Sequence, residues 1–128
     1  MSAYRENARN SLAKLDASEA RIFADLVRLL VRSDDELSAA ERQEIDRIAE
    51  EVGREIFWQR MDEAASAEQS ADQILARAKG VGTKDTHELM YGALYELSTS
   101  DGMSSMENDL LDRLATTWNL AIEDVLES

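Results

Sequence analysis

The sequence predicts an all-α protein: a compact bundle of about six to eight helices built from two pseudo-repeated helix–loop–helix halves. Three observations carry this expectation. The 128 residues contain no proline and only five glycines, so little in the chain interrupts a helix. Apolar residues recur at spacings of three and four rather than two, the period of a one-sided helix. Sliding the chain by 66 positions places Asp35 on Asp101, Ser38 on Ser104, Glu41 on Glu107, Asp46 on Asp112, Arg47 on Arg113 and Ala49 on Ala115. The same shift sets Val31, Leu37, Ile45 and Ile48 on Leu97, Met103, Leu111 and Leu114. It predicts two related halves, roughly 19–53 and 85–119, inside one domain spanning 1–128.

The elements follow in order. A first helix is expected over Ala3 to Leu15. Asp16-Ala17-Ser18-Glu19 has the form of a capping box, and Ile22, Phe23, Leu26, Val27 and Leu30 behind it make one apolar stripe ending near Arg32. A third helix opens at Ser38, buries Ile45, Ile48, Ala49 and Val52, and turns or kinks at Gly53. Beyond it Ile56, Phe57, Trp58 and Met61 continue the apolar pattern, and the small, polar string Asp62 to Ser70 suits a connection. Ser70 and Gln73 can cap a short helix to Lys79, which Gly80-Val81-Gly82-Thr83 breaks. A long helix from Lys84 buries Leu89, Met90, Ala93, Leu94 and Leu97. The last main helix carries Met106, Leu110, Leu111, Leu114 and Trp118, with Asn119 as its stop and Ala121 to Leu126 as a final short turn or helix.

Composition bounds the function. A formal net charge of −13, with lysine and arginine scattered singly among acids, disfavours nucleic acid as a partner. The absence of cysteine removes disulfides, thiolate nucleophiles and cysteine zinc sites. The longest mostly apolar stretch, Leu26 to Val31, is bounded on both sides by charge, so no membrane span is expected and the chain is placed in the cytoplasm. No Ser-His-Asp order, P-loop, dinucleotide motif or two-histidine metal motif occurs, and no enzyme is expected. His87, the single histidine, reads as a surface or packing residue, as do Trp58, Trp118, Tyr91, Tyr95, Met90, Met103 and Met106 at core or core-edge positions.

Two acidic stretches remain, SDDELSAAE (Ser33 to Glu41) and SDGMSSME (Ser100 to Glu107). Neither is an EF-hand. With Asp101-Gly102 at loop positions five and six, positions one and three fall on Leu97 and Thr99, and twelve falls on Asn108. With Asp34 at position five of the first loop, Glu41 reaches twelve, but positions one, three and six become Leu30, Arg32 and Asp35. Both stretches do contain a Ser-x-x-Glu capping box, Ser38 with Glu41 and Ser104 with Glu107. Capping does not require Asp34, Asp35 and Glu36, or Asp101, in front of those boxes. Carboxylate is the only ligand type in good supply, which suits a hard cation such as Ca²⁺, Mg²⁺ or Mn²⁺ rather than zinc or copper.

Two helical halves, each with a loop close to Asp-Gly-x-x-Ser-x-x-Glu, resemble the TerB-like domains of tellurite-resistance and related bacterial proteins. The specific part is LSTSDGMSSMENDLLDRLATTWNL; in the first half Glu36 stands where Gly102 stands in the second. The resemblance implies a non-enzymatic helical module of bacterial metal or stress response, with acidic patches that hold divalent cations. Carried onto matching positions, it points to Asp35, Glu41, Asp101 and Glu107 as metal ligands, with Asp34 and Glu36 as their neighbours. The other reading of the same charge is an acidic protein-interaction or inhibitor module that binds a basic partner through a broad face, for example Asp62, Glu63, Glu68 and Asp72.

Overall fold

The helices begin where side chains can take the first free backbone N–H groups. The computed structural model describes residues 12–32, 39–67, 69–99 and 105–120. Within them a 3₁₀ turn, Leu12–Lys14, precedes six α-helices: α1 Ala17–Arg32, α2 Ala39–Val52, α3 Arg54–Ala67, α4 Ala71–Ala78, α5 Lys84–Thr99 and α6 Ser105–Trp118. The all-α bundle is therefore observed, and no helix among the described residues is long and apolar enough to cross a membrane.

Both boxes expected at the starts of α1 and α4 are formed. The Asp16 N–H donates to Glu19 Oε1 at 2.9 Å, and the Glu19 N–H donates to Asp16 Oδ1 at 2.8 Å. The Ser70 N–H donates to Gln73 Oε1 at 2.9 Å, and the Gln73 N–H donates to Ser70 Oγ at 3.2 Å. A third box, not anticipated, opens α5: the Thr83 N–H donates to Thr86 Oγ1 at 2.8 Å and the Thr86 N–H to Thr83 Oγ1 at 3.3 Å. Threonine at the reciprocal position escapes the usual Ser/Thr-x-x-Glu/Gln pattern, but its hydroxyl accepts just as a carboxylate does.

Helix ends use the left-handed backbone. Gly53 has φ +117°, so α2 and α3 are two helices and not one kinked helix. α6 ends in a Schellman motif: Asn119, at φ 54°, donates its N–H to the Thr116 carbonyl, and the Leu120 N–H reaches the Ala115 carbonyl at 2.9 Å. Leu120 then packs on the core. A Cβ at Gly53 would meet only Ile56 Cδ1, at 3.8 Å. Gly53→Ala is thus expected to cost about 1–3 kcal/mol from backbone strain alone, read as a lower urea midpoint with an unchanged slope.

α1 is the central helix. Ile22 through Val27 are buried without interruption, the mark of a helix covered on every side. It lies against α3, α4 and α5, while α2 packs on α3, α5 and the Leu12 turn, and α6 on α5 and α4. One hydrophobic cluster runs through all of them, including Leu12, Phe23, Ile48, Phe57, Leu75, Leu94 and Leu114.

Several expectations are corrected. Of the first helix expected over Ala3 to Leu15, residues 3–11 lie outside the described residues, and Leu12–Lys14 is a 3₁₀ turn rather than the end of an α-helix. The connection expected over Asp62 to Ser70 is mostly helix, since α3 runs to Ala67. Its alanines have the highest helix propensity, and Ala64 is buried. Trp58 is 44 % exposed and Met106 63 %, so neither belongs to the core. Ile56 is exposed beside Trp58, and Leu89 is only half-buried. Met103 and Ala121 to Leu126 lie outside the described residues.

The helix pairs α1–α2 and α5–α6 have the same lengths in the same order, 16 and 14 residues. The 66-residue shift matches buried Ile45, Ile48, Ala49 and Val52 with buried Leu111, Leu114, Ala115 and Trp118, and Gly53 with Asn119, both at positive φ. In the first helices the burial pattern is displaced by one further residue. Phe23, Leu26, Val27 and Leu30 correspond to Met90, Ala93, Leu94 and Leu97, so Leu97 matches Leu30 and not the half-buried Val31. The cause is connection length: α1 and α2 are separated by residues 33–38, α5 and α6 by 100–104, one fewer.

Candidate functional site at the acidic helix starts

Of the carboxylates proposed as ligands, Glu41 and Glu107 fall within the described residues, while Asp34, Asp35, Glu36 and Asp101 lie outside them. Glu41 is the third residue of α2 and Glu107 the third of α6. They are only 6 % and 2 % exposed, low values for carboxylates. Their setting is explained by Glu19, the third residue of α1, which is 7 % exposed and closes the box with Asp16. A glutamate at this position folds back over the first turn, where the amide dipoles favour its charge. Glu41 and Glu107 stand at the same position of their helices as Glu19, a place where burial does not require a bound ion. Among the described residues no group of three or more histidine, cysteine or acidic side chains could hold a metal ion.

The structure brings together charged groups that the sequence reading did not single out. Asp25, buried at 1 % exposure in the middle of α1, accepts from Arg77 of α4 at 2.8 Å and from Arg21 at 3.4 Å. Arg77 also donates to Gln69. The signal available was an acid inside the apolar run Ile22 to Leu30, flanked by residues of every face. A second cluster lies on α2, where Arg47 donates to both oxygens of the buried Glu44, at 2.6 Å to Oε2. The Glu44 hydrogen bond raises the Arg47 pKa most, burial opposes it, and the charges of Glu44, Glu51 and Glu96 raise it further. Ala40, Gln43, Glu44 and Arg47 line a shallow cavity of about 390 Å³ there.

Of the acids named for the broad face, Glu63 and Asp72 are held in ion pairs. Glu63 pairs with Arg60 at 2.8 Å and lies 3.8 Å from Arg21, and Asp72 pairs with Arg113. Glu68 lies outside the described residues.

His87 is a packing residue, as expected. Its ring stacks on Trp118 with centroids 4.2 Å apart and planes 2° from parallel, and Nε2 lies 2.6 Å from the Val81 carbonyl oxygen. Trp118 Nε1–H donates to the Ala78 carbonyl at 2.8 Å. The two rings thereby clamp the α4–α5 turn against α6, and this sets the side-chain surroundings of Gly82. At φ +90° a Cβ on Gly82 would come within 2.8 Å of Thr86 Oγ1 and 3.1 Å of the His87 ring. Gly82→Ala is expected to destabilise by about 1–3 kcal/mol and to change Trp118 fluorescence, whereas Gly80→Ala, whose nearest new contact is 4.0 Å away, leaves the fluorescence alone.

No protein-family model, no curated protein and no solved structure matches this chain.

Proposed function

We propose that the protein is a non-enzymatic, TerB-like acidic module that binds divalent cations at its two interhelical connections, in a bacterial metal or stress response. One observation carries the reading. Five arginines of the described helices are held by carboxylates: Arg77 by Asp25, Arg47 by Glu44, Arg54 by Asp46 and Glu50, Arg60 by Glu63, and Arg113 by Asp72. The run Asp34-Asp35-Glu36, by contrast, has no base of its own between Ser33 and Ser38. Hard carboxylate donors fit Mg²⁺, Ca²⁺ or Mn²⁺. Asp34, Asp35, Glu36 and Asp101 would hold the ion, with Glu41 and Glu107 at the edges of the two sites.

The test is thermal unfolding in EDTA against excess Mg²⁺, Ca²⁺ or Mn²⁺ at constant ionic strength, beside an Asp35→Asn, Asp101→Asn variant. These positions precede the Ser38–Glu41 and Ser104–Glu107 boxes expected from the sequence, so the residues of both boxes are unchanged. At a hundred times its dissociation constant an ion adds about 2.7 kcal/mol, a rise in midpoint of several degrees. A rise common to the variant, or none at all, refutes the reading.

A second reading, an acidic module that binds a basic protein, is favoured by a separate observation: Ile56, Trp58 and Met106 are exposed on a chain of net charge −13.

A further inference from the structure

Met106 is the most exposed large apolar side chain described, at 63 %. It stands at the edge of a groove of about 460 Å³ walled by α1, α4 and α6, which Leu29, Ala71, Met106, Asp109, Leu110 and Arg113 line. On α6 the positions 106, 109, 110 and 113 form one face, since neighbours on a helix surface are three and four residues apart. The groove's floor is apolar. Of its two charges, Arg113 is held by Asp72 of α4. Asp109 is exposed, and no described cation pairs with it.

The geometry points to this groove as the docking site for an amphipathic helix of a protein partner, apolar on one face and basic on the other. The inference rests on the protein-binding reading and is independent of the cation reading. The occupant follows from charge complementarity. A second copy of the chain, or any acidic helix, would meet a like charge of −13. A basic helix would set lysine or arginine against Asp109 while its apolar anchors, spaced i, i+3, i+4 and i+7, lie on Leu29, Leu110 and Met106. An exposed methionine suits that task, because its unbranched, polarisable side chain adapts to differently shaped anchors.

The probe is a short synthetic amphipathic helix of leucine and lysine carrying a fluorophore, titrated with the full chain in EDTA so that bound ions play no part. Met106→Lys is expected to weaken binding about tenfold, roughly 1.4 kcal/mol. Gln43→Lys, the same charge change on α2, is expected to leave it within about twofold. Equal weakening by both variants overturns the groove while leaving a charge-driven protein module standing. Failure of the peptide to bind the unaltered chain overturns the groove and the protein-binding reading together. Equally tight binding of a leucine–glutamate analogue removes the basic partner.

Discussion

Phe57→Ala is expected to lower stability by about 3–5 kcal/mol, while Trp58→Ala, the removal of the larger neighbouring ring, is expected to cost about 1 kcal/mol or less. The contrast comes from where α3 faces. Phe57 is buried and joins the common core, whereas Ile56 and Trp58 on either side are exposed. Trp58 makes an edge contact with Phe57, at a centroid distance of 5.1 Å. Ala64 is the other fully buried position of the helix, and Met61 is half-buried. Phe57 is therefore the main apolar anchor holding α3 on α1. Urea unfolding of the two variants measures the difference, and amide exchange should show α3 losing protection first in Phe57→Ala. A Trp58→Ala variant as damaged as Phe57→Ala would mean that the indole is packed inside.

Arg77→Met is expected to destabilise by about 3 kcal/mol, near the lower end for breaking a buried pair, because Arg77 is itself partly exposed and Arg21 still faces Asp25. The cost arises less from the lost attraction than from a carboxylate left buried on α1 with one distant partner. Asp25→Leu combined with Arg77→Met should then recover much of the loss, since an apolar pair of similar volume carries no desolvation penalty. A double-mutant cycle separates the two contributions. If Arg77→Met and the double variant are equally unstable, the charge on Asp25 is not what the arginine answers.

What was legible in the sequence was what is decided locally. The boxes at Asp16 and Ser70, the stop at Asn119 and the break at Gly80 to Thr83 each depend on a few consecutive residues, and all four are observed. The burial of α1 was legible too, because its stripe leaves little choice of face. The run Ile56-Phe57-Trp58 was not, because three consecutive apolar residues point in three directions around a helix and only the packing on α1 selects one. Asp25 was passed over for a similar reason: its partner, Arg77, lies 52 residues away. At the candidate site the helical positions of Glu41 and Glu107 could be read from their boxes. The acids in front of them, Asp34, Asp35, Glu36 and Asp101, lie outside the described residues.

The one-residue difference between the two interhelical connections has a consequence for how such a chain can change. Both helix pairs keep their lengths and their buried faces although one connection is longer. The core therefore does not count the residues between its helices, and selection can lengthen, shorten or recharge a connection without disturbing the packing beneath it. Replacement of a glycine by a glutamate, the difference between Gly102 and Glu36, is the sort of step this permits. The connections are free to diverge in length and charge while the helix pairs they join keep the same lengths.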